Sequence, residues 1–214
     1  FMSDYGRMSY EKDATKRITT ELININETNI SNAIINIFKE LSSHENKLIL
    51  LSPNLSYEEM INVEALSNKL NIKLSGYSPN TIDESFADDW LKKADKTANR
   101  ASFKELEIDE TKEFFEKALG EAKTIFVLEN SYFEDKLNLL ENKKLISLFS
   151  HHCLTVGNSD IAVPVASFYE KSGSYINCDG IRQKVVSKLD KNSPMPTITT
   201  IIENIKSMIE KGTI

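Results

Sequence analysis

The sequence predicts an α/β domain of three layers, built on a Rossmann-like, mostly parallel sheet. Three observations carry that expectation. Short apolar runs at 47–51 (KLILL), 124–128 (TIFVL) and 144–149 (KLISLF) read as strands. Between them lie segments whose apolar residues recur at three- and four-residue steps, so helices alternate with strands as in a parallel sheet. Only 7 glycines and 5 prolines occur among 214 residues, which leaves little room for linkers and favours one compact domain.

In chain order, Ala33, Ile34, Ile37, Phe38 and Leu41 fall on one face of a helix over 31–41. After the strand at 47–51, SPNLSYEE supplies a turn and a capping box: Ser56 can bond the backbone of Glu59 while Glu59 reaches back. A helix therefore starts near Tyr57 and carries Met60, Ile61, Val63, Leu66 and Leu70 before the short strand IKLSGY. Residues 80–109 have few β-formers, paired acids and a lysine-rich middle, and read as a partly helical excursion or flap. The alternation resumes with helix at 111–119, strand at 124–128, helix at 132–140 and strand at 144–149. Ser159 to Val185 reads as a buried strand, a short helix, a turn and a second strand. Pro164 cannot donate to a ladder and ends the first of these. Gly173 is expected to make the turn that returns Ser174 to Asn177 as a strand. Beyond Pro194 and Pro196, Ile198, Ile201, Ile202, Ile205, Met208 and Ile209 form the stripe of a last helix.

A net charge of −6, with lysines interleaved among acids, works against nucleic-acid binding. The apolar windows fall well short of the ~20 residues of a membrane span. The start shows no basic segment followed by an apolar one, so a cytoplasmic location is expected. The dense opening FMSDYGRMSYEKD reads as an internal piece of something longer. Two cysteines, Cys153 and Cys178, make neither a disulfide framework nor a four-ligand metal site. His151, His152 and Cys153 are contiguous and point in different directions, which disfavours convergence on one ion. Glu58 and Glu59 fall in a helix's first turn, where they complement its dipole. The loop SPNLS sits where α/β sheets bind phosphates, but it has no glycine to let a pyrophosphate approach.

Three separated segments carry a resemblance. They are FMSDYGR at the start, LLSPNLSYEEMINVEALSNKL with ADDWLKKADKTAN, and SDIAVPVASFYEKSGSYINCDGIRQ. In order they resemble the molybdopterin-oxidoreductase-like region of NADH:quinone oxidoreductase, respiratory complex I, in the subunit where that region follows iron–sulfur domains. Within the third segment Asp160, Pro164, Glu170, Lys171, Gly173, Asn177, Gly180 and Gln183 match the family pattern. Asp179 and Ser174 replace the usual Glu and Thr, and Ile181 intrudes before Arg182.

The resemblance implies a fold like the first domains of formate dehydrogenases and related molybdenum enzymes. It divides the chain into a junction at 1–29, following upstream iron–sulfur domains, and an α/β domain at 30–214. Ser3 stands where many relatives have a cluster-ligating cysteine, so no metal is expected there. Ser52, Asn54, Ser56, Gly173, Asn177 and Gln183 are candidates for a relic pterin pocket in a chain that itself carries no cofactor and no catalytic residue.

The implied role is a scaffold in the peripheral arm, at the inner face of the cell membrane. Its partners would be the other arm subunits, with clusters upstream carrying the electrons toward quinone. The alternatives are a fragment of a molybdenum or tungsten bis-pterin oxidoreductase and a stand-alone nucleotide-binding or interaction module.

Overall fold

A computed structural model describes residues 15–24, 26–90, 92–187 and 195–212. The elements run β1 (Glu21–Ile23), β2 (Asn26–Thr28), α1 (Ile30–Ser42), β3 (Lys47–Leu51), α2 (Tyr57–Leu70), β4 (Lys73–Ser75), α3 (Ala101–Glu105), α4 (Lys112–Glu121), β5 (Thr124–Leu128), β6 (Lys144–Phe149), α5 (Leu154–Gly157), β7 (Ile161–Pro164), β8 (Gly173–Ile176), β9 (Arg182–Val185) and α6 (Ile198–Glu210).

Among the described residues seven strands form one sheet in the order β2-β1-β7-β6-β5-β3-β4. From β4 across to β7 the pairings are parallel, and β1 joins β7 and β2 antiparallel. Every residue of β3 and β5 is buried, because side chains alternate between faces and both faces are covered. Ile49, Leu51, Phe126, Leu128, Ile146 and Leu148 enter one core with α1, α2 and α6. Leu48, Leu50, Ile125, Val127 and Leu145 enter the other with α4 and the aromatic side chains of Tyr132 and Phe133. Each fully buried Ile, Leu or Phe contributes about 1.5–3 kcal/mol. A helix cap contributes about 1 kcal/mol, so the two cores carry the fold and the caps set its boundaries.

Those boundaries follow the sequence. Asn29 Oδ1 accepts from Asn32 N–H at 3.0 Å to open α1, and Thr111 and Thr197 cap α4 and α6 in the same way. At α2 the capping box forms in full: Ser56 Oγ accepts from Glu59 N–H at 3.2 Å, and Glu59 Oε2 accepts from Ser56 N–H at 2.9 Å. Asn71 ends that helix in the left-handed region at φ 51°. Pro164 is the last residue of β7.

Two expectations are corrected. Residues 132–140 do not form an α-helix but two 3₁₀ turns, Ser131–Asp135 and Leu137–Leu140, broken by Lys136 at φ −136°. The adjacent Tyr132 and Phe133 both turn inward and pack edge-on at 5.2 Å between ring centres, an arrangement that a single α-helical stripe does not offer. Gly173 does not make a turn; it is the first residue of β8. A Cβ there would lie 2.5 Å from Ser56 Cβ, so the residue is small because the Ser56 side chain already occupies that space. The turn lies later, between β8 and the antiparallel β9, where Gly180 adopts φ 77°.

The excursion at 80–109 contains two short 3₁₀ turns and the five-residue α3. In the junction segment, β1 and β2 extend the main sheet, and Arg17 bridges to His151. The motif around Ser3, and Pro194, lie outside the described residues. Among the described residues no helix is long and apolar enough to cross a membrane.

Candidate functional site

In chain order the five parallel strands β3, β4, β5, β6 and β7 are arranged 2-1-3-4-5. The order reverses between β3 and β5, and open α/β sheets bind ligands outside the carboxyl ends of strands at such a point. Here those ends carry Ser52 to Ser56 after β3, Glu129 and Asn130 after β5, and Ser150 and His151 after β6. They frame a crevice of about 330 Å³ lined by Asn54, Leu55, Ala98, Glu129, Ser150, His151, Phe168 and Lys171. A second hollow of about 40 Å³ adjoins it, shares Asn54 and Glu129, and includes Ser52 and Asn130. A larger cavity of about 440 Å³ lies at the opposite edge, where Lys47 and Lys73 begin their strands. The strand-order rule favours the carboxyl edge.

Buried asparagines stitch this edge together. Asn130 Nδ2 donates to Leu51 O at 2.8 Å and to Ser78 Oγ at 2.7 Å, while its Oδ1 accepts from Tyr132 N–H at 2.9 Å. Asn99 is fully buried. Its Nδ2 donates to Leu55 O at 2.7 Å, its N–H to Pro53 O at 3.1 Å, and its Oδ1 accepts from Ile176 N–H at 2.6 Å. One side chain thus ties the SPNLS loop, the excursion and the β8–β9 hairpin.

Charge is paired in the same place. Lys171 and Glu59 are 5% and 3% exposed, and Lys171 Nζ donates to Glu59 Oε2 at 2.8 Å and Oε1 at 3.1 Å. Glu59 is therefore both the capping-box carboxylate and the partner of a buried ammonium, which no local sequence pattern reveals. Its neighbour Glu58 accepts from Ser174 N–H at 2.7 Å.

Glu129 stands at the carboxyl end of β5 with its backbone left-handed at φ 52°, a conformation that costs a non-glycine residue energy and clusters at functional sites. Its Oε1 accepts from Ser150 N–H at 2.7 Å. Desolvation raises the pKa of its carboxyl above the ordinary value, against the pull of Lys171, Ser150 and His151. Sequence reading missed it; the signal available was a lone acid directly after a buried apolar run.

The contiguous His151, His152 and Cys153 diverge. His151 lines the crevice, with Nδ1 2.8 Å from Ser150 Oγ. His152 is exposed. Burial pushes the Cys153 thiol up to about 12, with the Glu134 carboxylate reinforcing the shift. Among the described residues no group of three or more His, Cys, Asp or Glu is placed to hold a metal.

Of the six pocket candidates, Asn54 lines both hollows and Ser52 the smaller. Ser52 Oγ accepts from Asn54 N–H at 3.1 Å, and Asn54 Oδ1 from Ala98 N–H at 3.0 Å. Ser56 is buried against Gly173 at the start of α2. Asn177 Oδ1 holds the hairpin turn by accepting from Asp179 and Ile181 N–H at 3.0 and 2.8 Å. Gln183 is exposed on β9. The structure thus brings the first four to one edge of the sheet and leaves the last two on the hairpin.

No protein-family model matches the chain, and no curated protein matches it significantly.

Proposed function

We propose that this chain is the cofactor-free, molybdopterin-oxidoreductase-like part of an iron–sulfur subunit of NADH:quinone oxidoreductase. It serves as a scaffold in the peripheral arm, which faces the cytoplasm at the membrane. The observation that supports this most directly is where the motif residues meet. Asn99 of the second motif segment and Lys171 and Gly173 of the third are far apart in sequence, yet all three close on the SPNLS loop and the helix start behind it.

Their polar groups are taken up within the fold. Asn99 bonds the loop backbone and the hairpin, Lys171 is paired with Glu59, and the Cα face of Gly173 is taken by Ser56. The cofactor-free reading is supported by the cover that Ser56 gives Gly173 and by a loop after β3 that has no glycine of its own. What the arrangement supplies is rigidity, suited to holding neighbouring subunits in register while clusters elsewhere carry electrons.

The test is native isolation of the protein from the cells that make it, followed by activity staining and metal and pterin analysis. Co-migration with NADH dehydrogenase activity, without molybdenum or tungsten, is the expected result. Stoichiometric molybdenum or tungsten, with a fluorescent oxidised pterin after acid extraction, would favour the bis-pterin enzyme. A free chain whose melting point rises with a nucleotide would favour the stand-alone module.

A further inference from the structure

The chain's single tryptophan, Trp90, is 92% exposed. It stands near the middle of the excursion with Ile82 and Phe86, which are 43% and 45% exposed. Three large apolar side chains thus stand exposed on one projection, and exposed apolar surface beyond isolated residues marks interaction sites.

The projection is built rather than loose. Ile82 bridges antiparallel to Asp95, Asp83 N–H donates to Ala94 O at 2.9 Å, and Asp88 N–H to Lys92 O at 3.0 Å. Asp88 Oδ1 accepts from Trp90 N–H and Lys92 N–H, each at 2.9 Å. Lys96 pairs with Asp83 at 2.7 Å and also lies 4.7 Å from the centre of the Phe86 ring. At its base, Arg100 pairs with Asp95 at 3.2 Å and with Glu110. Hydrogen bonds and ion pairs thus order a loop whose largest side chain touches almost nothing, and ordering an aromatic anchor in advance lowers the entropic cost of docking it.

We infer that this loop docks onto a protein surface that offers an apolar pocket for the Trp90 indole within a basic rim. Charge argues for the rim: with Asp83 paired to Lys96 and Asp95 to Arg100, the exposed acids Glu84, Asp88 and Asp89 outnumber the remaining exposed lysines, Lys92 and Lys93. Lys92 and Lys96 lie over Phe86, while Glu84, Asp89 and Lys93 face solvent. The same excess of acid argues against an anionic lipid surface.

The source of the partner rests on the assembly proposed above, the probe being the peripheral arm prepared without this chain. With 5-fluorotryptophan incorporated, Trp90 gives one fluorine resonance, whose solvent isotope shift reports exposure. On adding the arm preparation, that shift is expected to vanish. Trp90→Ser should weaken binding about tenfold or more and Trp90→Phe less, while Leu154→Ser, at an exposed apolar residue elsewhere, leaves binding unchanged.

Binding with the isotope shift intact and Trp90→Ser as tight as the parent would overturn the anchor and leave the assembly reading standing. No binding by the parent chain would remove both. A resonance that responds equally to phosphatidylcholine vesicles overturns the inference in favour of lipid.

Discussion

Gly173→Ala tests whether the glycine of the EKSG segment is kept for packing or for a ligand. The added methyl would lie 2.5 Å from Ser56 Cβ, 3.0 Å from Ser56 Oγ and 3.2 Å from Glu58 Oε2. Ordinary carbon contacts are about 3.5–4.0 Å, so the overlap is roughly 1 Å. It falls on a buried residue that caps α2, where no flexible side chain can swing aside. Overpacking of this kind costs about 1–3 kcal/mol. The upper half of that range applies, because the clash also presses on the bond from Ser174 N–H to Glu58.

For a domain of this size a loss of about 2–3 kcal/mol lowers Tm by roughly 4–12 °C. Urea denaturation followed by circular dichroism, with the slope checked for constancy, measures it. In a Ser56→Gly background the offending Cβ is gone, and the cap itself loses only a few tenths of a kcal/mol. There Gly173→Ala should cost less than about 1 kcal/mol. A cost below about 0.5 kcal/mol in the parent, or an equal cost in both backgrounds, refutes the packing account.

Lys171→Met leaves the Glu59 carboxylate buried without its cation and should cost about 3–5 kcal/mol in the same assay. Adding Glu59→Gln, which keeps the capping oxygen, should recover most of that; a double variant as unstable as the single one would contradict the pairing. Glu129 has its pKa raised by burial, so the folded state holds its proton more tightly. Its contribution to stability is present below the unfolded value of about 4.5 and is lost as pH rises through the folded value. Glu129→Gln should therefore gain on the parent across that window and then hold its advantage, and a variant that loses ground between pH 4 and pH 7 argues otherwise. At pH 8 a thiol at about 12 is thiolate on the order of one part in ten thousand. Iodoacetamide should accordingly modify the exposed Cys178 and spare Cys153, and equal labelling of both counts against the burial of Cys153.

Elements whose cause is local were legible in the sequence. Helices α1, α2, α4 and α6 announce themselves through apolar stripes and Asn, Ser or Thr caps, and β3, β5 and β6 through apolar runs. The 3₁₀ turns at 131–140 were not, because the apolar spacing over nine residues suits either geometry and tertiary packing of Tyr132 and Phe133 decides. Gly173 reads as a turn residue because a glycine permits turns and close approaches alike, and only the fold says which. The site divides in the same way. The Ser56–Glu59 box is written in four consecutive residues, whereas Glu59–Lys171 spans 112 positions and Asn99–Ile176 spans 77. Such pairings exist only once the sheet has brought its carboxyl ends together.

The two margins of the main sheet bear on how the molecule can grow. On one side β4 is three residues long, and Asp109 lies along it: Gly76 N–H donates to Asp109 O at 2.9 Å and Ser75 Oγ to the same oxygen at 3.1 Å. On the other, β2 is also three residues long and exposes Asn26 and Glu27. Short, polar or covered edges resist the addition of a further strand. Over the described residues both margins thus disfavour growth by strand addition and leave helices and projecting loops as the surfaces open to neighbours.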